Sequence, residues 1–178
     1  MTEDKYVYIL LTDTGTFFTR LIKLYTRKPL NHVSIAFDAD LTEMYSFGRK
    51  KPNNPFIGGF IKEDKHSALL RQAMCAVYRC KVSAESYEEM YQKVKHFNAD
   101  QAKYKYNLIG LLGVLFNRGI NRKYAFFCSQ FVAMILANGG KVVVDKEPAL
   151  VRPYDFVESD QLDVVYKGEL GHFLSPLQ

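Results

Sequence analysis

A cysteine at the start of a helix and a histidine at the head of a strand are the two residues of this 178-residue chain that could together cleave an amide or ester. Cys128 lies in Phe126-Phe127-Cys128-Ser129-Gln130-Phe131-Val132, and the apolar spacing predicts a helix over Cys128–Asn138 closed by Gly139-Gly140. Unpaired backbone N–H groups and the positive end of the helix dipole favour a thiolate at such a position, where pKa values fall from about 8.5 into the range ~3.5–7.5. The same N–H groups could hold a developing oxyanion. A plainer role fits too, because Cys128, Phe131, Val132, Ile135 and Leu136 form one apolar stripe and a buried cysteine packs as a small hydrophobe. What separates the two roles is a histidine brought in from elsewhere in the chain.

His32 is the candidate. Val33, Ile35 and Phe37 alternate with His32, Ser34 and Ala36, the mark of a strand with two different faces, and His32 begins it next to a turn. A strand-end histidine satisfied by a backbone carbonyl is the ordinary alternative. The other histidines fit less well: His66 lies in a loop rich in Lys and Glu, His96 on a charged helix, and His172 between Gly171 and Phe173. All three read as solvated.

The elements that must hold this pair alternate in kind. Tyr6 to Leu11 is a buried strand. Thr12-Asp13-Thr14-Gly15 then supplies capping residues for a helix carrying Phe17, Phe18, Leu21, Ile22, Leu24 and Tyr25, which stops before Pro29. The His32 strand turns at Asp38-Ala39-Asp40-Leu41 into a return strand over Thr42 to Phe47. Residues 48 to 66 are rich in Gly, Pro, Asn and Lys and read as loop with a short strand at Phe56 to Ile61. Met74 to Val82 is a further strand, and Ser86 with Glu89 resembles a capping box opening a surface helix from Tyr87 to about Gln101. Tyr106 to Phe116 is more apolar, with Gly110 and Gly113 inside it. Val142 to Val144 and Asp163 to Tyr166 read as late strands. The sum is an α+β chain forming a single domain over 1–178.

Composition narrows the field. With 48% hydrophobic and 24% charged residues the chain can bury a core, which excludes a disordered, collagen-like or coiled-coil protein. Cys75, Cys80 and Cys128 match no metal-ligand spacing and read as free thiols, with Cys75 and Cys80 on opposite faces of a strand. Leu108 to Phe116 falls short of the ~20 apolar residues of a membrane span, and the first apolar run is too short for a signal sequence. The expected address is cytoplasmic. A net charge of +5 favours anionic partners without requiring one. Basic residues at Arg49-Lys50-Lys51 and from Arg118 to Lys123 accompany no nucleic-acid motif. A buried helix is the leading reading of Leu108 to Phe116; with Arg118, Arg122 and Lys123, residues 108–123 could alternatively form a lid or touch a lipid surface.

Two rival signals are weak. Asp13-Thr14-Gly15 resembles the triplet of retropepsin-like aspartic proteases, but no second copy exists and an N-cap explains it. Asp38, Asp40 and Glu43 suggest calcium ligands, yet Glu43 stands where an EF-hand loop needs glycine.

Asn31-His32-Val33-Ser34-Ile35 followed much later by Phe127-Cys128-Ser129-Gln130-Phe131-Val132 resembles the circularly permuted NlpC-type, papain-like cysteine hydrolases, especially the YiiX/YebB-like group. Order carries the likeness: ordinary papain-like enzymes place the cysteine helix before the histidine strand, whereas here His32 comes first. Tyr106-Asn107 with Gly110, and Arg152-Pro153-Tyr154-Asp155-Phe156, are also similar. The resemblance implies an antiparallel sheet packed against helices, with Cys128 at a helix N-terminus as nucleophile and His32 as base. It implies no metal and no organic cofactor. The expected substrates are small molecules or peptides with an amide bond: peptides, cell-wall fragments or acyl-amino acids. Related lecithin retinol acyltransferase-like enzymes act on lipid esters, and a catalytically inactive papain-like binding module is the alternative of another class.

The family also places a polar residue about a dozen positions after the histidine to orient it, and the window here offers Glu43, Tyr45 and Ser46. A four-residue hairpin loop would put Glu43 and Tyr45 on the face of His32, whereas a three-residue loop would put Ser46 opposite it.

Overall fold

Val7, Ile9 and Leu11 are fully buried on one face of the first strand, and Leu10 is fully buried on the other. Such a strand belongs in the middle of a sheet. It is β1 (Lys5–Asp13), flanked by β2 (His32–Ala36) and β5 (Met74–Val82). The computed structural model describes residues 4–13, 28–49 and 57–175. Within them β3 (Met44–Arg49), β4 (Gly58–Lys62) and β8 (Asp163–Glu169) complete a six-stranded sheet in the order β4-β3-β2-β1-β5-β8. All neighbouring strands run antiparallel. A separate parallel pair joins β6 (Lys105–Tyr106) to β7 (Ala125–Phe126). The chain is thus α+β, built on an antiparallel sheet with helices. The helix expected over Phe17 to Tyr25 lies outside the described residues.

The helices divide between the two sheet faces. α2 (Ala84–Ala99) buries Met90, Val94 and Phe97, and α4 (Cys128–Asn138) buries Phe131, Val132, Ile135 and Leu136, against the face that carries Val33, Ile35, Phe47 and Phe60. Two one-turn helices, α1 (Ala68–Arg71) and α5 (Leu170–Phe173), bring Leu70 and Leu170 to the opposite face, beside Leu10, Ala36, Met44 and Val77. Cys75 belongs to this second cluster and Cys80 to the first, as their odd spacing on one strand requires.

Three local expectations shift. α2 starts at Ala84 because Ser83 is its N-cap, accepting a hydrogen bond from the Ser86 N–H at 3.1 Å, so Ser86 stands inside the helix and does not open a capping box with Glu89. Val142 to Val144 forms no strand. β8 already fills the sheet edge beside β5, and the Val143 carbonyl accepts instead from Ser159 Oγ at 2.6 Å. The apolar segment forms the expected helix, α3 (Leu108–Leu115), but is not buried throughout, since Ile109 and Leu112 are exposed; close packing explains its two glycines. A Cβ at Gly110 would stand 2.2 Å from the Asn107 side chain that caps the helix, and one at Gly113 would stand 2.5 Å from the Arg118 carbonyl oxygen.

Aromatic rings bind the layers together. Phe47 of β3 packs on Phe60, Phe97, Tyr104, Phe126 and Phe131 with ring centroids 5.2–6.3 Å apart, which joins the sheet to α2, α4 and β7 through one side chain. Truncating a fully buried phenylalanine loses its transfer energy and leaves a cavity. Phe47→Ala should lower unfolding free energy by about 3–5 kcal/mol, read from the urea midpoint at constant slope; a loss within experimental error would contradict this role.

Candidate active site

His32 owes its place to strand pairing. It opens β2 opposite Thr12 of β1, and the Asn31 N–H donates to the Thr12 carbonyl at 3.2 Å just before it. Cys128 owes its place to α4, which packs across β2 and β3 and begins directly after β7. The N-cap Phe127 has an extended backbone and supplies no side-chain hydrogen bond, so no capping side chain competes for the amides of the first turn. Two hydrogen bonds steady that turn from outside: Ser129 Oγ donates to the Val151 carbonyl at 2.7 Å, and Gln130 Nε2 donates to Asn121 Oδ1 at 2.9 Å. Cys128 itself is 3% exposed.

The two meet. The Cys128 side chain is a hydrogen-bonding and electrostatic partner of the His32 ring. On its other side, His32 Nε2 donates to Glu63 Oε1 at 2.8 Å. Glu63 Oε1 also accepts from Ser46 Oγ at 2.6 Å and, more weakly, from Ser34 Oγ at 3.4 Å. Burial alone would push the imidazole pKa down, but the Cys128 and Glu63 partners outweigh it and raise the ring to about 10. For Glu63 burial acts upward, yet His32 and the serine hydroxyls hold its carboxyl below the usual range. The result is a cysteine, an imidazolium and a carboxylate in series, each side chain at most 16% exposed.

Glu63 was not among the residues expected to orient His32, and the hairpin explains why. Phe37 pairs with Glu43 and Ile35 with Tyr45, so the loop is the five residues 38–42, one longer than the longer of the two loop lengths expected. The extra residue is Thr42, and just before it Leu41 is buried and left-handed at φ 56°, a conformation uncommon for leucine. This register sets Gly48 opposite His32, and the His32 Cε1 lies 3.7 Å from where a Gly48 Cβ would stand.

Glu43 and Tyr45 therefore do not reach the ring. Tyr45 points into the helix-bearing face and donates to Glu43, which also holds Lys62 and, at 3.2 Å, Lys95. Lys62 and the Tyr45 hydroxyl bring Glu43 down to about 2, while burial and Glu43 push the Tyr45 phenol up to about 12. Ser46 does join the site, through Glu63. The signal for Glu63 lay in β4: a strand paired with β3 carries the chain back alongside Met44, whose carbonyl accepts from the Glu63 N–H at 2.8 Å.

The remaining candidates fall elsewhere. His66, His96 and His172 are exposed. Burial pushes the Cys75 thiol up to about 12 and raises Cys80 as well. Both Asp38 oxygens accept loop amides, from Thr42 at 2.8 Å and Glu43 at 2.6 Å, so this aspartate closes the hairpin. Among the described residues no group of three His, Cys, Asp or Glu side chains is placed to hold a metal ion, and no helix is long and apolar enough to cross a membrane. No known family profile, curated protein or solved structure matches the chain.

The ring binds its proton more tightly folded than unfolded, so it stabilises the fold fully below its ordinary 6.5 and loses that contribution as pH rises towards 10. Unfolding free energy should decline across that window, and His32→Asn should flatten the decline; parallel wild-type and variant curves would speak against it. Glu63→Gln should lower the His32 pKa by roughly one to three units, followed by NMR of the ring, while Glu43→Gln should leave it unmoved.

Proposed function

We propose that this chain is a cysteine hydrolase of the permuted papain-like type, cleaving an amide or ester bond through Cys128 and His32. The observation that carries this reading is the series Cys128–His32–Glu63 at the uncapped start of α4. A lone cysteine and histidine in contact would be commonplace. A third group that fixes the ring and favours its charged form is what nucleophilic catalysis asks of its base. The architecture agrees in kind, with an antiparallel sheet, a cysteine helix packed across it, and the histidine strand earlier in the chain.

In the proposed reaction His32 holds the proton of the thiol, and the Cys128 sulfur attacks the carbonyl carbon. The carbonyl electron pair moves to oxygen, where N–H groups of the first turn of α4 receive it; such a donor contributes about 2.7–4 kcal/mol in studied hydrolases. Collapse of the tetrahedral adduct expels the amine or alcohol, which takes the proton from His32, and leaves a thioester on Cys128. The neutral ring then draws a proton from water as its oxygen attacks the thioester. Release of the acid restores the thiolate and the imidazolium. Glu63 exchanges no proton in this scheme: it keeps Nε2 as a donor and the ring in one orientation.

The resemblance in the Cys128 and His32 segments points to amide bonds in peptides, cell-wall fragments or acyl-amino acids as substrates, with lipid esters second. A catalytically inactive binding module is favoured by one observation, the burial of Cys128 at 3% exposure.

Iodoacetamide labelling read by peptide mass spectrometry separates the two readings, with the raised thiols of Cys75 and Cys80 as internal controls. Cys128 alone should react rapidly at and below neutral pH, and His32→Ala should slow it about tenfold or more. Should Cys128 react no faster than the controls, or be indifferent to His32, the binding module takes the place of the hydrolase.

A further inference from the structure

The outward face of α3 has no use in the site just described. Ile109, Leu112 and Phe116, spaced three and four residues apart and so aligned on one side of the helix, are 54%, 48% and 72% exposed. With Gly113, Arg118 and Ile120 they line an open hollow of about 540 Å³. A contiguous apolar stripe of this kind marks a surface that something covers.

Charge says what covers it. From Gln101 to Val144 the sequence contains no Asp or Glu but six cations, Lys103, Lys105, Arg118, Arg122, Lys123 and Lys141. That excess is larger than the whole chain's net charge of +5. Arg118 lines the hollow itself, its N–H donating to the Gly113 carbonyl at 2.8 Å, and Arg122 and Lys123 follow it on the exposed surface. Among the described residues no carboxylate pairs with these three cations. A second copy of this surface would bring like charges together, and a nucleic-acid backbone would leave the apolar stripe in water. An anionic lipid surface satisfies both features, taking the stripe below its headgroups and the cations at their level.

We infer that α3 docks this protein on anionic bilayers, with Ile109, Leu112 and Phe116 entering the interface and Arg118, Arg122 and Lys123 lying among the lipid phosphates. The helix is too short to span and lies in the plane of the surface. Its start is tied to that of α4, since the Asn107 N–H donates to the Phe126 carbonyl at 2.9 Å, two residues before Cys128. Docking uses neither Cys128 nor His32, so it stands or falls apart from hydrolysis.

Co-sedimentation with phosphatidylcholine vesicles, with or without about one-third phosphatidylglycerol, tests it directly. The full chain should pellet with the anionic vesicles and release at high salt. Each of Arg118→Gln, Arg122→Gln and Lys123→Gln should weaken binding roughly fivefold, and the triple variant Ile109→Ser, Leu112→Ser, Phe116→Ser should abolish it. The chain contains no tryptophan, so Phe116→Trp provides a single reporter that changes one exposed ring and serves even where the triple variant misfolds. Its emission should shift to the blue with anionic vesicles and stay put with neutral ones. Wild-type protein left in the supernatant, an unshifted emission from the Phe116→Trp variant, or a wild-type dimer that the serine variant splits would each overturn the inference.

Discussion

A carboxylate removed from water persists only where hydrogen bonds and positive charge replace what water supplied, and in this protein that constraint falls on Glu63. Its Oε1 draws donors from two further strands, His32 and Ser34 from β2 and Ser46 from β3. The three strands β2, β3 and β4 are therefore locked in register by one buried oxygen, because a slip of a single residue would turn those side chains to the other face. The same carboxylate holds the imidazole in its charged form, and α4 brings Cys128 to that imidazole. Without Glu63 the ring would keep the Cys128 contact and a long one, 3.5 Å, to Ser34 Oγ to set against burial, which favours loss of its proton.

Much of this was legible in the residues. Alternation from His32 to Phe37 announced β2, the run Met74 to Val82 gave the limits of β5, and the apolar stripe ending in Gly139-Gly140 gave those of α4. The third member of the site was hidden for two physical reasons. The hairpin loop runs one residue further, through Thr42, with Leu41 in left-handed backbone, a choice no turn preference favours at that position. Glu63 itself sits in Lys62-Glu63-Asp64-Lys65-His66, a charged run that reads as solvated loop, and only pairing across β4 reveals that one of its residues points inward. The error over Val142 to Val144 has a different source: valines favour strands, but the edge they would have joined is taken by residues near the C-terminus.

The segment between Gln101 and Cys128 serves two neighbours at once. β6 and β7 pair in parallel just ahead of α3 and α4, and Asn107 both caps α3 at the Gly110 N–H, 2.9 Å away, and donates to the Ile120 carbonyl at 3.0 Å. The loop that returns from α3 is thus folded onto its first turn before the chain enters α4. This close approach is why glycine stands at 110 and 113 in an otherwise aliphatic helix.

The order of elements along the chain gives the antiparallel sheet a consequence for assembly. His32 and Glu63 are separated by 31 residues and belong to one meander of adjacent strands, whose contacts close short loops and form early. Cys128 comes from a later helix that must cross back over strands made long before it. On a ribosome His32 and Glu63 would emerge together while Cys128 was still unsynthesised, and the Cys128 side chain would meet the His32 ring only at a late, long-range closure. Until that step the chain carries three ordinary cysteines; the difference among them is a property of the finished topology.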